Sequence, residues 1–282
     1  MLQVSKKTLN IRGKLLDLST PAVMGILNIT PDSFYEGSRM QSEDQLLSKA
    51  GQMLAEGATM VDIGGYSTRP GAREVEAAEE SDRVESAVVP LNKNFPELII
   101  SVDTFRSQVA KRAIETGAHI VNDVSGGTLD EQMFEVVSAL HVPYILMHMR
   151  GTPQTMSTMT TYNQLVSDIL KDLKGKMDKL RSLGVVDIIV DPGFGFAKNT
   201  KQNFALLQHL SECSLLDCPI LVGISRKATI YKTLNVSAGE ALNGTTVVNT
   251  MALERGASII RVHDVKPAAE AVKLWLAASS VN

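Results

Sequence analysis

The chain carries eight short apolar runs, and each run ends in a group of polar residues. Longer segments with the apolar spacing of helices separate these runs, so strand and helix alternate eight times. This alternation is typical of parallel α/β folds, and eight repeats within 282 residues predict a (β/α)8 TIM barrel. The runs cover residues 23–28, 60–65, 98–103, 119–123, 144–149, 187–193, 219–227 and 258–264.

The length fits one barrel with an N-terminal extension, and we predict a single domain over residues 1–282. Residues 3–20 alternate weakly, with Gly13 at a plausible turn, so we expect residues 1–20 to form a cap with a short β-hairpin at the closed end of the barrel. We expect the first helix to begin near Ser42 and to stop at Gly57. Glycines are expected to end three later helices, at Gly117, Gly184 and Gly256.

Composition excludes several classes of function. Hydrophobic residues make up 44% and charged residues 21% of the chain, as in ordinary globular proteins. The net charge is −3 and there is no basic stripe, which argues against nucleic acid and anionic membranes as partners. No apolar stretch suggests a signal peptide or a membrane span. Cys213 and Cys218 lack metal-ligand spacing and are expected to be reduced thiols in a cytoplasmic protein.

Polar residues at the ends of different strands predict a pocket, because the carboxyl ends of barrel strands meet at one mouth. Asp103, Asn122 and Asp191 follow three of the strands, and their oxygens suit a flat ring that carries several N–H donors. The planar guanidinium of Arg261 suits stacking on such a ring. The alternative is that Asp103 and Asp191 form salt bridges with neighbouring cations.

Positive charge also gathers at the strand ends of this acidic chain. Arg261 and His263 are two residues apart and therefore share one face of their strand. Local positive charge favours a small anionic substrate such as a phosphate or pyrophosphate. The cationic residues are Arg69, Arg226, Lys227, Arg261 and His263. Asn28, Ser67 and Thr68 are candidates for neutral contacts or for holding Mg²⁺, which takes few protein ligands.

Long loops are predicted at residues 30–41, 66–73 and 150–162, and long loops at a barrel mouth often form lids or substrate walls. Residues 191–196 read Asp-Pro-Gly-Phe-Gly-Phe and predict a tight turn. This turn either presents Phe196 to an aromatic substrate or packs Phe194 and Phe196 into the loop. Met147 and Met149 are expected to fill the core rather than to contact a ligand.

The strand-end motifs, taken in order, resemble those of the dihydropteroate synthase family, transferases of folate biosynthesis. They occupy residues 25–34, 67–71, 101–104, 120–123, 146–149, 191–196, 225–227 and 260–264. The resemblance implies that 6-hydroxymethyl-7,8-dihydropterin diphosphate reacts with 4-aminobenzoate to give 7,8-dihydropteroate and pyrophosphate. It also implies inhibition by sulfonamides, and a homodimer formed through the late helices of the barrel.

The resemblance assigns roles to individual residues. The catalytic residues it implies are Asp103, Lys227 and Arg69. Pterin binding falls to Asp103, Asn122, Met147, Asp191, Lys227 and Arg261. The diphosphate falls to Asn28, Thr68, Arg69, Arg261 and His263, with Asn28 binding Mg²⁺. The aminobenzoate site falls to Ser33, Phe34, Arg69, Pro70, Phe196, Lys227 and Ala228.

The chain departs from the family pattern at three places. Tyr66 stands where an acidic or amide residue is usual, the first loop reads Ser-Phe-Tyr-Glu-Gly-Ser at 33–38, and Ala228 stands where serine is common. Three alternatives therefore accompany the synthase. They are a catalytically silent pterin-binding paralogue, a pterin-dependent methyltransferase with a corrinoid partner, and an unrelated barrel such as an aldolase with Lys227 as the Schiff-base lysine.

Overall fold

The computed structural model describes residues 7–29, 39–66 and 75–280, and within them eight parallel strands form a barrel. The strands are β3 (Ala22–Asn28), β4 (Met60–Gly64), β5 (Ile99–Asp103), β6 (Ile120–Asp123), β7 (Tyr144–Met147), β8 (Ile188–Asp191), β9 (Leu221–Val222) and β10 (Ile259–Val262). They follow the eight apolar runs of the sequence, so the predicted TIM barrel is confirmed.

The barrel closes between β8 and β9. The ladder runs from β8 through β7, β6, β5, β4, β3 and β10 to β9. A parallel bridge then joins Val190 to Ile220, and the Val190 amide donates to the Pro219 carbonyl at 2.9 Å. Closure removes the exposed edges of the sheet and brings all the strand ends to one mouth.

Helices surround the strands and cover the outer face of the barrel. They are α1 (Arg39–Ala55), α2 (Ala77–Asn94), α3 (Ser107–Thr116), α4 (Met133–Leu140), α5 (Leu165–Ser182), α6 (Thr200–Gln208), α7 (Ala228–Leu234), α8 (Leu242–Glu254) and α9 (Val265–Ser279). Two helices, α7 and α8, lie between β9 and β10. Short 3-10 segments occur at Met156–Thr158 and Leu210–Leu216.

Helix ends agree with the sequence patterns to within a few residues. α1 begins at Arg39, three residues before the expected start near Ser42. Positive φ angles after four helices confirm the expected stops. These angles are 103° at Gly57, 132° at Gly117, 89° at Gly184 and 91° at Gly256.

An antiparallel hairpin closes the bottom of the barrel, as predicted. Its strands are β1 (Thr8–Ile11) and β2 (Lys14–Asp17), and Arg12 and Gly13 form the two-residue turn with positive φ angles. Leu9 and Ile11 pack against inward-facing apolar side chains at the lower ends of the strands. The Arg12 guanidinium donates to the carbonyls of Ile114 and Ala118 and ties the hairpin to α3 and the segment after it.

Apolar residues on the outward faces of the strands pack against the helices and form the main core. The inward faces form a smaller apolar plug at the bottom, and polar side chains begin above it. The pocket therefore opens at the carboxyl ends of the strands. Within the part of the chain that the structure describes, none of the helices combines the length and apolar character needed to span a bilayer.

Candidate active site

A polar layer lies above the apolar plug, where inward-facing positions of five strands carry charged or amide side chains. It consists of Asp62 on β4, Asp103 on β5, Asn122 on β6, Asp191 on β8 and Arg261 on β10. Parallel pairing places Gly64 beside Asp103 and Asp103 beside Asn122, so these positions line one face of the barrel wall. The predicted convergence of Asp103, Asn122, Asp191 and Arg261 is confirmed.

Arg261 bridges two carboxylates at the centre of this layer. Its Nε donates to Asp62 Oδ2 at 2.6 Å, and its Nη2 donates to Asp103 Oδ2 at 2.7 Å. Asn122 Nδ2 donates to the same Asp62 oxygen at 2.9 Å. The Arg261 side chain is 18% exposed, and burial of this kind strengthens its ion pairs. The salt-bridge alternative for Asp103 is therefore also correct.

Asp62 is not among the residues predicted from the sequence, although it lies at the centre of the layer. This side chain is fully buried within the apolar run of β4 and shares the inward parity of Gly64. A lone carboxylate inside a strand of a parallel barrel is a detectable signal, because buried charges need partners. Asp62 Oδ1 is buried and has no hydrogen-bond partner among the described residues. An orphaned acceptor at this depth is suited to an N–H donor from a ligand.

Two carboxylates of the polar layer, Asp103 and Asp191, have a raised affinity for protons. Burial raises the pKa of Asp103 to about 7, against the attraction of Arg261 and with help from the nearby charge of Asp62. Burial also raises the pKa of Asp191, against the charge of Lys227. Asp191 Oδ1 accepts from the Gly193 amide at 2.7 Å. Shifts of this kind mark candidate functional groups in a cleft.

Lys227 reaches the same pocket from the loop after β9. Its Nζ donates to the Phe194 carbonyl at 2.5 Å and lies 4.5 Å from the centroid of the Phe196 ring. Burial lowers the pKa of Lys227 to about 8, against the attraction of Asp191. Phe194 is buried in the main core, whereas Phe196 is half-buried, so the two phenylalanines of the predicted turn have different surroundings.

A methionine cluster forms an apolar wall beside the polar layer. We use this name for the buried Val124, Met147, Met149, Met156 and Ala197. Phe105, Leu129 and Phe196 pack against it. Both Met147 and Met149 are 3% exposed and therefore lie in the core, as expected.

Other strand-end residues lie on the rim. Asn28 is exposed at the end of β3, and its Oδ1 lies 3.5 Å from the position that a Cβ of Gly64 would occupy. His263 is exposed, and its Nδ1 lies 3.1 Å from Ser225 Oγ. Ala228 is the first residue of α7.

Arg226 does not belong to the cationic group of the mouth, contrary to the sequence analysis. Its Nε and Nη2 bind both oxygens of Asp264, and its Nη1 donates to the Ala238 and Gly239 carbonyls. Arg226 has a φ of 53°, which turns its side chain toward the segment before α8. Its charge is therefore already paired in tying this segment to β10 and α9.

Several predicted site residues lie outside the described residues. These are Ser33, Phe34, Ser67, Thr68, Arg69 and Pro70, together with the loops at 30–38 and 67–74.

Tyr66, which departs from the family pattern, sits in an aromatic and cationic group at the rim. Its ring meets that of Phe105 edge-on at 5.4 Å, and the Arg106 guanidinium lies over both rings. Arg106 is in turn ion-paired with the buried Glu80 at 2.6 Å. Phe105 and Arg106 thus pack against the Tyr66 ring at this position.

Comparison with known proteins agrees with this geometry. Residues 24–263 match the family model described as pterin binding enzyme. The chain is 41% identical to the dihydropteroate synthase of Escherichia coli over 93% of both proteins. The chain belongs to the dihydropteroate synthase family. Its members are transferases, so this chain is a transferase as well.

Solved structures of the family have the same fold. The Yersinia pestis dihydropteroate synthase, crystallised with a sulfonamide drug complex, is 42% identical and superposes with a TM-score of 0.90 over 97% of this chain and 100% of that one. The Xanthomonas albilineans dihydropteroate synthase with 4-aminobenzoic acid is 34% identical, with a TM-score of 0.90 over 99% of this chain and 100% of that one. Membership of the family therefore stands on sequence and fold together.

Proposed function

We propose that this chain condenses 6-hydroxymethyl-7,8-dihydropterin diphosphate with 4-aminobenzoate, giving 7,8-dihydropteroate and pyrophosphate in folate biosynthesis. The observation that carries the proposal is the buried polar layer, in which Asp62 keeps an acceptor oxygen without a partner among the described residues. Relatives that span nearly the whole chain carry the name of this activity. Two solved relatives contain 4-aminobenzoate or a sulfonamide.

The polar layer suits a pterin ring. The amino and ring N–H groups of a pterin are donors, and the layer offers carboxylate and amide acceptors from Asp62, Asp103, Asn122 and Asp191. Arg261 is held at its edge by two carboxylates, which leaves its planar face for stacking. Met147 in the methionine cluster supplies an apolar surface on the same side of the pocket.

Two of the residues that we propose for the diphosphate, Asn28 and His263, are exposed on the rim. We assign the diphosphate to Asn28, Thr68, Arg69, Arg261 and His263. Among residues 7–29, 39–66 and 75–280, no group of three His, Cys, Asp or Glu side chains is placed to hold a metal ion. Asn28 is the protein ligand that we propose for Mg²⁺, because Mg²⁺ takes few protein ligands and keeps water and phosphate oxygens as the others. When bound there, Mg²⁺ neutralises charge on the diphosphate.

The reaction we propose needs no covalent enzyme intermediate. The bond between the pterin methylene carbon and the diphosphate oxygen breaks, and the electron pair leaves with pyrophosphate. The Asp103 carboxylate stabilises the positive charge on the pterin. Lys227 and Arg69 are the other two catalytic residues that we propose. The nitrogen lone pair of 4-aminobenzoate then forms the C–N bond, and that nitrogen loses a proton.

We assign the second substrate to the side of the mouth where Lys227 meets the Phe194–Phe196 turn. The proposed residues are Ser33, Phe34, Arg69, Pro70, Phe196, Lys227 and Ala228. The Phe196 ring beside the Lys227 ammonium offers an aromatic surface and a positive charge, which match an aminobenzoate ring and its carboxylate. Sulfonamides resemble this substrate and are expected inhibitors.

The decisive assay follows both products. Purified protein is mixed with dihydropterin diphosphate and Mg²⁺, with and without 4-aminobenzoate, and pyrophosphate and dihydropteroate are measured. The synthase forms the two in equal amounts. Pterin binding without dihydropteroate identifies the silent paralogue, and binding of a corrinoid identifies the methyltransferase.

We also propose a homodimer formed through α8 and α9. These helices expose Leu242, Val247 and Leu274, the last at 73%, beside the half-buried Trp275. A groove between the helices is lined by Thr246, Thr250, Leu274 and Trp275. An apolar patch of this kind on a protein surface is typical of an interface.

We further assign the protein to the cytoplasm, since both cysteines are buried thiols.

A further inference from the structure

Lys198 is buried beside the active site. It is 7% exposed, and lysine is almost never buried without partners. Its Nζ lies 3.0 Å from His148 Nδ1, 2.9 Å from the Gly193 carbonyl and 3.0 Å from the Phe196 carbonyl. An ammonium has three donors and no acceptor, so these three contacts use all of its hydrogen-bonding capacity.

His148 is the acceptor that completes this arrangement. It is 1% exposed, and burial, followed by the charge of Lys198, lowers the pKa of His148 far below its usual range. The imidazole is therefore neutral, with Nδ1 accepting from Lys198 and the proton on Nε2. The pair lies on two loops, one after β7 and one after β8, and joins them.

The segment held by Lys198 is the turn at residues 192–197. Other partners bind the remaining polar groups of the turn. Asn203 Oδ1 accepts from the Gly195 amide, the Tyr162 hydroxyl donates to the Ala197 carbonyl, and Lys227 donates to the Phe194 carbonyl. The turn thus connects Lys198 on its buried side with Lys227 on the side of the active site.

We propose that Lys198, with His148 as its acceptor, is a positioning residue that holds Phe196 and Lys227 in place for 4-aminobenzoate. This inference rests on the proposed function and deepens it. It assigns to the buried Lys198 an effect on the binding of 4-aminobenzoate and not on the binding of the pterin. Three of the four pterin acceptors, Asp62, Asp103 and Asn122, lie on strands of the barrel wall and make no hydrogen bond with the turn in the described structure. The fourth, Asp191, accepts from the Gly193 amide of the turn but is itself held at the end of β8.

Two pairs of variants test this role. Lys198→Met removes the ammonium and keeps most of the length of the side chain, and Lys201→Met, an exposed position on α6, is its matched control. His148→Asn places an amide oxygen close to the position of Nδ1 and retains an acceptor, whereas His148→Leu removes it. Thermal unfolding of all four variants identifies any that fail to fold.

We expect Lys198→Met and His148→Leu to raise the KM for 4-aminobenzoate at least tenfold and to lower kcat. Calorimetry with 6-hydroxymethylpterin should give a Kd within threefold of the wild-type value for both. Lys201→Met and His148→Asn should keep wild-type constants. In ¹⁵N spectra of the imidazoles, the Nδ1 signal of His148 should shift in Lys198→Met and stay unchanged in Lys201→Met.

Three results would overturn the inference: an unchanged KM in folded Lys198→Met, an equal loss of affinity for both substrates, or an unchanged His148 signal. Failure of the proposed function looks different. In that case wild-type protein forms no dihydropteroate at all. The ¹⁵N signal of His148 and the affinity for 4-aminobenzoate, compared between wild type and Lys198→Met, still test whether Lys198 holds the turn.

Discussion

At the scale of single residues, the site depends on how one arginine shares its charge between two acids. Arg261 satisfies Oδ2 of Asp62 and of Asp103, and the second oxygen of Asp62 keeps no partner among the described residues. The ligand-free arrangement thus neutralises part of the buried charge and still keeps an acceptor for a substrate. Asp103 is paired with Arg261 and also has a raised pKa. A substitution that removes its charge is therefore the clearest test of its catalytic role.

Asp103→Asn should lower turnover about 100-fold or more, because it removes the charge that stabilises the pterin cation, and effects of this kind on catalysis have that size. The fold should persist, since burial already disfavours the ionised form of Asp103. Dihydropteroate formation and thermal unfolding measure the two effects. Asp178→Asn, at an exposed position on α5, is the control. Unchanged turnover in Asp103→Asn would refute the cation-stabilising role.

The pH dependence of kcat/KM should be bell-shaped. Activity requires ionised Asp103, so it rises as pH increases through about 7, the pKa of this carboxyl in the folded protein. It also requires protonated Lys227, so it falls as pH increases through about 8. The residual activity of Asp103→Asn should lack the acidic limb. An acidic limb that survives in this variant would assign it to another group.

At the scale of structural elements, a short irregular segment after β8 shapes one side of the site. The turn at residues 192–197 approaches the chain after β7 so closely that a Cβ on Gly193 would lie 2.0 Å from the His148 carbonyl oxygen. Gly193 also has a φ of 74°, which L-residues rarely adopt. The turn therefore needs glycine at this position for two separate reasons.

A comparison of Gly193→Ala with Gly184→Ala separates the backbone strain of a positive φ from the steric overlap of an added Cβ. Gly184 has a φ of 89° and no atom within 4 Å of its Cβ position, so alanine there should cost about 1 kcal/mol of backbone strain. At Gly193 the steric overlap should add about 1–3 kcal/mol and should displace the turn. Urea unfolding and the KM for 4-aminobenzoate measure both effects. Equal losses of stability with an unchanged KM would contradict the close packing of the turn.

The N-terminal hairpin is the second element whose role can be measured. Leu9 is fully buried in the plug at the bottom of the barrel, whereas Leu15 in the same hairpin is 74% exposed. Leu9→Ala should lower the free energy of unfolding by about 2–5 kcal/mol, and Leu15→Ala should change it by less than about 0.5 kcal/mol. Urea unfolding checks both values, and a small loss in Leu9→Ala would mean that the hairpin does not seal the barrel.

At the scale of the whole molecule, closure of the barrel assembles the site and leaves α8 and α9 with an apolar outer surface. Arg261 and Asp62 are separated by 199 positions along the chain and meet because β10 and β4 flank β3 in the sheet. Closure between β8 and β9 brings Asp191 and Lys227 to the same mouth.

Leu274→Glu should convert the proposed dimer into a monomer, since it places a charge at the centre of the apolar surface on α9. Leu215→Glu is the control, because Leu215 is 71% exposed in the 3-10 segment Leu210–Leu216, away from α8 and α9 in the sequence. Analytical ultracentrifugation over a range of protein concentrations measures the masses. A dimer that survives Leu274→Glu, or a wild-type monomer, would exclude this interface.

The order of the elements and most of the polar residues at the barrel mouth could be predicted from local sequence patterns. Apolar periodicity is a local property, and in a parallel barrel the carboxyl end of every strand faces the same side. Asp103, Asn122, Asp191 and Arg261 were therefore found from their place after apolar runs.

The pairing of these residues depends on how distant segments pack in the folded protein. Asp62 was hidden inside an apolar run, Arg226 turned to Asp264 and away from the mouth, and Lys198 met His148 across two loops. Each of these contacts joins side chains at least 38 positions apart, and their geometry depends on strand register, on barrel closure and on single positive-φ residues. No local pattern encodes such contacts, since they form only when distant segments are packed together.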